Sequence, residues 1–185
     1  MQRRLKILIT IGILLMVVAG AKGFQNTPKE PKLVFEHHKV YYIGKKNSFA
    51  NVVLATAYEG QLIVPRTPEE IEKDSIVVFD SEMLGSPQAK EYIREALSKG
   101  CWIVSIGGNN SGLMDMIFQR GVYLGPSDEE KKRMFLGQFN APVVGFRLVK
   151  EGNYEYPSYF VSNTDNPREI MEGIYAWITG ELLRG

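Results

Sequence analysis

The sequence predicts an α/β domain on a mostly parallel sheet, preceded by an apolar N-terminal helix. Three observations predict it. Strand-like and helix-like blocks alternate from Lys32 onward. Ser75–Phe79 (SIVVF) and Cys101–Ile106 (CWIVSI) are apolar without alternation, as strands are when helices cover both faces of a parallel sheet in three layers. Late in the chain two strands follow one another with no helix between them, which predicts an antiparallel edge hairpin.

Residues 1–24 come first in order. Arg3, Arg4 and Lys6 precede an uncharged run from Ile7 to Ala21, and Ala19-Gly20-Ala21 has the small-x-small form of a cleavage site. The run is about 15 residues, short of the roughly 20 that cross a bilayer core unaided, although Leu5, Gly23 and Phe24 extend it. It reads as a secretory signal peptide or a short membrane anchor. The cations stand before it, so either reading puts the following chain outside the cytoplasm. If the segment is uncleaved, it is the contact with the cell membrane; if cut, the domain is secreted. Residues 25–31 (QNTPKEP) carry two prolines and no apolar periodicity, which is a linker. The domain is expected over residues 32–185.

Within it, Lys39–Ile43 is a β-branched and aromatic strand ended by Gly44. Ser48 caps a helix to about Tyr58, stopped by Gly60, and Gln61–Val64 is the second strand. Thr67-Pro68-Glu69-Glu70 has the form of a capping box opening a short helical turn. Ser86-Pro87 starts a helix with Tyr92, Ile93, Ala96 and Leu97 on its inner stripe, and Gly100 closes it. After Cys101–Ile106 a helix is expected from about Leu113 to Gln119. Ser127 and Glu130 form another capping box for a charged helix to about Leu136. Val143–Val149 and Tyr156–Ser162 make the hairpin around Glu151-Gly152-Asn153, and Asn166 caps a last helix whose Ile170, Ile174, Trp177 and Ile178 dock inward.

Composition narrows the function classes. The net charge is +1 with interspersed charges, so there is no electrostatic case for nucleic acid. One cysteine, Cys101, cannot form an intramolecular disulfide, and at the start of a buried strand it reads as a small core residue. The two histidines, His37 and His38, precede the first strand, which puts them at the opposite sheet edge from any loop that follows a strand. A Ser-His-Asp triad on Ser111 therefore fails on geometry, and Gly108–Gly112 is not a G-x-S-x-G elbow. No metal-ligand cluster and no cofactor fingerprint is visible.

Ligands of open α/β sheets sit beyond the carboxyl ends of the strands. That rule selects Lys45 after the first strand, Asp80 and Glu82 after the third, and Gly107, Gly108, Asn109, Asn110 and Ser111 after the fourth. The glycines let a ligand approach backbone amides at a helix start, where an anion is favoured. Asn109, Asn110 and Ser111 add side-chain donors, and Lys45 adds charge. Asp80 and Glu82, at i and i+2, are expected on one face, where paired carboxylates divide acid and base roles or hold Mg²⁺ through water. Tyr154, Tyr156 and Tyr159 make the hairpin a candidate partner surface or a set of cross-strand pairs.

Residues 74–120 add a resemblance. The strand Ser75–Phe79 with Asp80, a helix, and then Lys99-Gly100-Cys101-Trp102-Ile103-Val104-Ser105-Ile106-Gly107-Gly108 resemble the middle of class I glutamine amidotransferase-like domains. The layout is similar to membrane-anchored members of that superfamily that lack catalysis. The resemblance implies a flavodoxin-like fold. The family's cysteine belongs in the turn held here by Gly108-Asn109-Asn110-Ser111, and no histidine-glutamate pair follows, which argues against glutaminase activity.

Together these readings predict a non-catalytic extracytoplasmic domain that binds a protein partner or a small polar ligand at the carboxyl edge of its sheet. The alternatives are a hydrolase using Ser111 or the Asp80/Glu82 pair, and a structural subunit of an envelope or secretion assembly.

Overall fold

The structure is a computed structural model that describes residues 32–108, 110–118, 137–152 and 154–182. The apolar leader, the linker at 25–31 and the charged helix expected from Ser127 lie outside the described residues, and so does Asn109. No helix among the described residues is long and apolar enough to cross a membrane.

The elements run β1 (Val40–Ile43), α1 (Phe49–Ala57), β2 (Leu62–Ile63), β3 (Ile76–Asp80), α2 (Pro87–Ser98), β4 (Trp102–Ile106), α3 (Ser111–Phe118), β5 (Val143–Glu151), β6 (Tyr154–Ser162) and α4 (Pro167–Leu182). They form one six-stranded sheet in the order β2-β1-β3-β4-β5-β6. The first four positions are parallel, and β5 and β6 are antiparallel to their neighbours. The mixed α/β class and the antiparallel edge are thus as the sequence predicts.

Strand alternation sends side chains to two cores. On one face Tyr41, Val77, Phe79, Ile103, Val144 and Phe146 pack with Ala89, Tyr92, Ile93 and Ala96 of α2 and Leu113, Met114 and Ile117 of α3. On the other, Val40, Tyr42, Ile76, Val78, Trp102 and Val104 pack with Ala50, Val53 and Leu54 of α1 and Ile170, Ile174 and Ile178 of α4. Every residue of β1, β3 and β4 is buried. This is why those strands carry no polar alternation.

The helix boundaries follow from capping. Ser48 accepts from the Asn51 amide and Ser86 from the Ala89 amide, each supplying a partner to an otherwise orphaned N–H. Gly100, at φ +68°, ends α2 in a Schellman motif: Cys101 N–H reaches Ala96 O (3.0 Å) and Gly100 N–H reaches Leu97 O (3.2 Å). The Thr67 box takes a different form. Pro68–Glu70 is a single 3₁₀ turn without a Thr67 side-chain cap; instead the Glu70 carboxylate accepts from the Arg66 amide at 2.9 Å.

Candidate functional site

β1 lies between β2 and β3, so the chain leaves β1 for the sheet edge and returns across it to β3. The strand order reverses there, and the loops that diverge at this point are residues 44–48 after β1 and residues 81–83 after β3. A crevice outside the carboxyl ends of the strands is expected between such loops.

The Gly44–Ser48 loop is held from below. The Tyr42 hydroxyl donates to Lys45 O at 2.8 Å and shares a hydrogen bond with Ser48 Oγ at 2.8 Å. Burial raises the Tyr42 phenol above its ordinary range, so it stays a neutral donor. Gly44 is required by close approach: a Cβ there would overlap the Tyr42 hydroxyl and stand 2.6 Å from Asp80 Cβ. The loop after β1 therefore lies close against the end of β3 at the crossover.

Asp80 is the last residue of β3 and is only 3% exposed. Its Oδ1 accepts from the Glu82 amide at 3.1 Å, while its Oδ2 is buried with no hydrogen-bond partner among the described residues. That bond turns the chain into the 3₁₀ turn Ser81–Met83. The strand alternation expected to put Asp80 and Glu82 on one face ends at Asp80 for this reason. Glu82 stands out in solvent instead, where its carboxylate meets Lys45 Nζ at 2.7 Å across the crossover. The contact lowers the Glu82 carboxyl and raises the Lys45 ammonium relative to their ordinary values, with the hydrogen bond as the leading cause in both.

The loop after β4 closes the other side. Gly107 and Gly108 have φ +105° and +41°, and a Cβ on either would lie 3.1 Å from Ser81 Oγ. Asn110 is fully buried, and its side chain is spent inside the fold: Oδ1 accepts from Ser105 Oγ at 2.5 Å, and Nδ2 donates to Gly107 O (3.0 Å) and Ala141 O (2.7 Å). It holds the loop instead of facing a ligand. Ser111 is the first residue of α3, and its side chain lies outside the described residues.

Lys45, Asp80, Glu82, Gly107 and Gly108 are thus gathered on one edge, and Asn110 is drawn beneath it. Tyr42 and Ser81 join them. Tyr42 read as an ordinary strand aromatic; its signal was the Gly44 two residues on, the one residue that lets its hydroxyl fold under the loop.

Other candidates fall elsewhere. Cys101 is 1% exposed, its thiol donates to Glu72 O at 3.2 Å, and burial pushes its pKa up to about 11. His38 Nδ1 donates to Asp74 O at 2.7 Å on the amino edge, on the far side of the sheet from Ser111. Tyr159 turns inward against Phe139 and Phe146, with ring centroids 5.3 and 5.6 Å away, so of the hairpin tyrosines with described side chains only Tyr156 is exposed. No group of three histidine, cysteine or acidic side chains is placed to hold a metal among the described residues.

Chemically, the edge offers a buried acceptor without a donor among the described residues, an exposed ion pair and the Gly107–Gly108 turn beside it. Among the described residues it shows no nucleophile paired with a base. No protein-family model, curated protein or solved structure matches the chain.

Proposed function

We propose that this chain is a non-catalytic binding domain that works outside the cytoplasm, with the carboxyl edge of a flavodoxin-like sheet as its recognition surface. The ligand is a small polar molecule or the polar side chain of a protein partner, and it carries a hydrogen-bond donor or positive charge. One observation supports this above the others: Asp80 Oδ2 is buried at the strand crossover without a donor among the described residues. A buried acceptor left unsatisfied costs about 1–3 kcal/mol, and a bound donor would recover that. The extracytoplasmic placement rests on the charge and hydropathy pattern of residues 1–24.

The hydrolase alternative has less behind it. The histidines are at the other edge, Glu82 is engaged by Lys45, and Asp80 holds its own loop. The assembly-subunit alternative loses Tyr159 from its surface, because that ring is turned inward, while Tyr156 and Val161 of β6 stay exposed.

Thermal-shift screening of the full-length chain in detergent against small amines, amides, sugars and amino acids tests the reading. Ligands that raise the unfolding midpoint of the wild type should not do so for Asp80→Asn. Equal stabilisation of both proteins would remove the carboxyl edge as the site.

A further inference from the structure

β4 begins at Trp102, opposite Arg147, so the β5–β6 hairpin runs on past the amino edge of the sheet. Between that overhang and residues 73–74 and 98–100 lies a cavity of about 390 Å³, which is the size of a small-molecule pocket. Its wall is cationic: Lys73, Lys99, Arg147 and Lys150 line it against one carboxylate, Asp74. The carboxylates that meet Lys99 and Lys150, Glu95 at 2.8 Å and Glu155 at 2.6 Å, are not part of the lining.

The four cations differ in what they can do. Lys99 is committed to the fold, donating to Glu69 O at 2.9 Å and Ile71 O at 2.6 Å. Arg147 is fixed in the floor. Its guanidinium lies 3.4 Å over the Trp102 ring and donates to Gly100 O at 3.2 Å and Asp74 Oδ1 at 3.3 Å. Lys73, on the loop before β3, and Lys150, on the overhanging strand, are 80% and 67% exposed, and Lys73 stands 3.8 Å from Asp74 Oδ2. These two ammoniums can turn to a ligand.

The backbone adds an independent observation. Trp102 N–H reaches Ser75 O and Gly107 N–H reaches Pro142 O, so the odd-numbered residues of β4 bond towards β5. Phe146, paired with Ile103, therefore bonds towards β4, and Leu148, two residues on, faces the same way. The ladder has ended by then, because the Cys101 amide turns back to Ala96 O. The Leu148 N–H and C=O thus face the cavity that Leu148 lines. An amide among ammoniums suits an anion, while the Leu148 carbonyl and the Asp74 carboxylate ask for hydroxyl donors.

We propose that this amino-edge cavity binds a small hydroxylated anion, the phosphate monoester of a polyol or sugar. The phosphate, which carries nearly two negative charges at neutral pH, sits at Lys73, Lys150 and the Leu148 amide over the fixed charge of Arg147. The hydroxyls meet Leu148 O and Asp74. The site is at the opposite end of the strands from the crossover and does not depend on the reading above.

The test follows amide shifts of the full-length, isotope-labelled chain in detergent, titrated at constant ionic strength with glycerol 3-phosphate, inorganic phosphate and glycerol. Glycerol 3-phosphate should give saturable shifts at residues 73–74, 99–100 and 148–150; inorganic phosphate should bind more weakly and glycerol not at all. Lys73→Gln and Lys150→Gln, on the exposed rim where folding is not at stake, should each weaken binding about two- to fivefold, the worth of an exposed charge pair. Lys90→Gln, exposed on α2, should leave it unchanged. Glu155→Gln, which frees Lys150, should tighten it, whereas a purely structural Lys150–Glu155 pair would not. Absence of saturable binding by the ester overturns the inference, as does equal weakening by Lys90→Gln, which would mean general charge attraction. Inorganic phosphate binding as tightly as the ester would overturn the hydroxyl contacts.

Discussion

The Asn110 carboxamide donates to the Ala141 carbonyl across 2.7 Å and so ties the loop after β4 to the segment that leads into β5. The same side chain serves Ser105 and Gly107, and Gly107 N–H reaches Pro142 O at 2.7 Å in the same knot. Asn110→Ala should orphan several buried polar groups at once. A loss of about 2–3 kcal/mol is expected in denaturant unfolding, and ligand affinity measured on the folded fraction should change little. A large affinity loss at unaltered stability would make Asn110 a contact residue instead.

Gly145 and Trp177 pose a packing test on the opposite face. A Cβ at Gly145 would stand 2.7 Å from Trp177 Cζ3, with the Phe160 Cβ 3.1 Å away. Trp177 is fixed there by stacking on Phe160, with ring centroids 5.9 Å apart, and by its Nε1 bond to Ser158 Oγ at 2.9 Å. Gly145→Ala should cost about 1–3 kcal/mol through overpacking. It should also change tryptophan emission as the indole moves. An unshifted spectrum with full stability would contradict the packing.

Cys101 should be chemically silent in the folded protein. With its pKa raised to about 11, the thiol stays protonated through neutral pH, and thiol-disulfide reagents attack the thiolate. Modification by a thiol reagent at pH 7–8 should follow global unfolding. The folded pKa exceeds the unfolded one, so the thiol's contribution to stability is complete below the unfolded thiol pKa and is lost as pH rises through the folded value. Part of the alkaline fall in stability should therefore disappear in Cys101→Ala.

Lys45→Met and Glu82→Gln should leave the unfolding midpoint nearly unchanged, because both groups are exposed and their pairing is screened. Thermal melts of the two variants check this. A marked drop would mean that the pair holds the two loops together.

The buried strands were legible because burial on both faces forces apolar runs, as in Ile76–Phe79 and Trp102–Val104. Helix starts at Ser48 and Ser86 were legible because capping is a local interaction. Strand order was not, since nothing near β1 states that β2 and β3 flank it; that depends on contacts between distant segments. Asn110 shows the same limit within the site. Its composition suits a ligand donor, but the carbonyls it meets belong to Gly107 and to Ala141, thirty-one residues away. Asp80 and Glu82 were placed on a common face because the strand was read past its end, and the bond from Glu82 N–H to Asp80 Oδ1 is what ends it.

The most direct test of the central claim is amide chemical-shift mapping on the full-length, isotope-labelled chain during titration with a ligand found by screening. The account predicts saturable shifts concentrated at residues 44–48, 80–83 and 107–108, and their loss in Asp80→Asn. Shifts centred on the hairpin around Tyr156 or on the amino edge around His38, with the crossover amides unmoved, would contradict it.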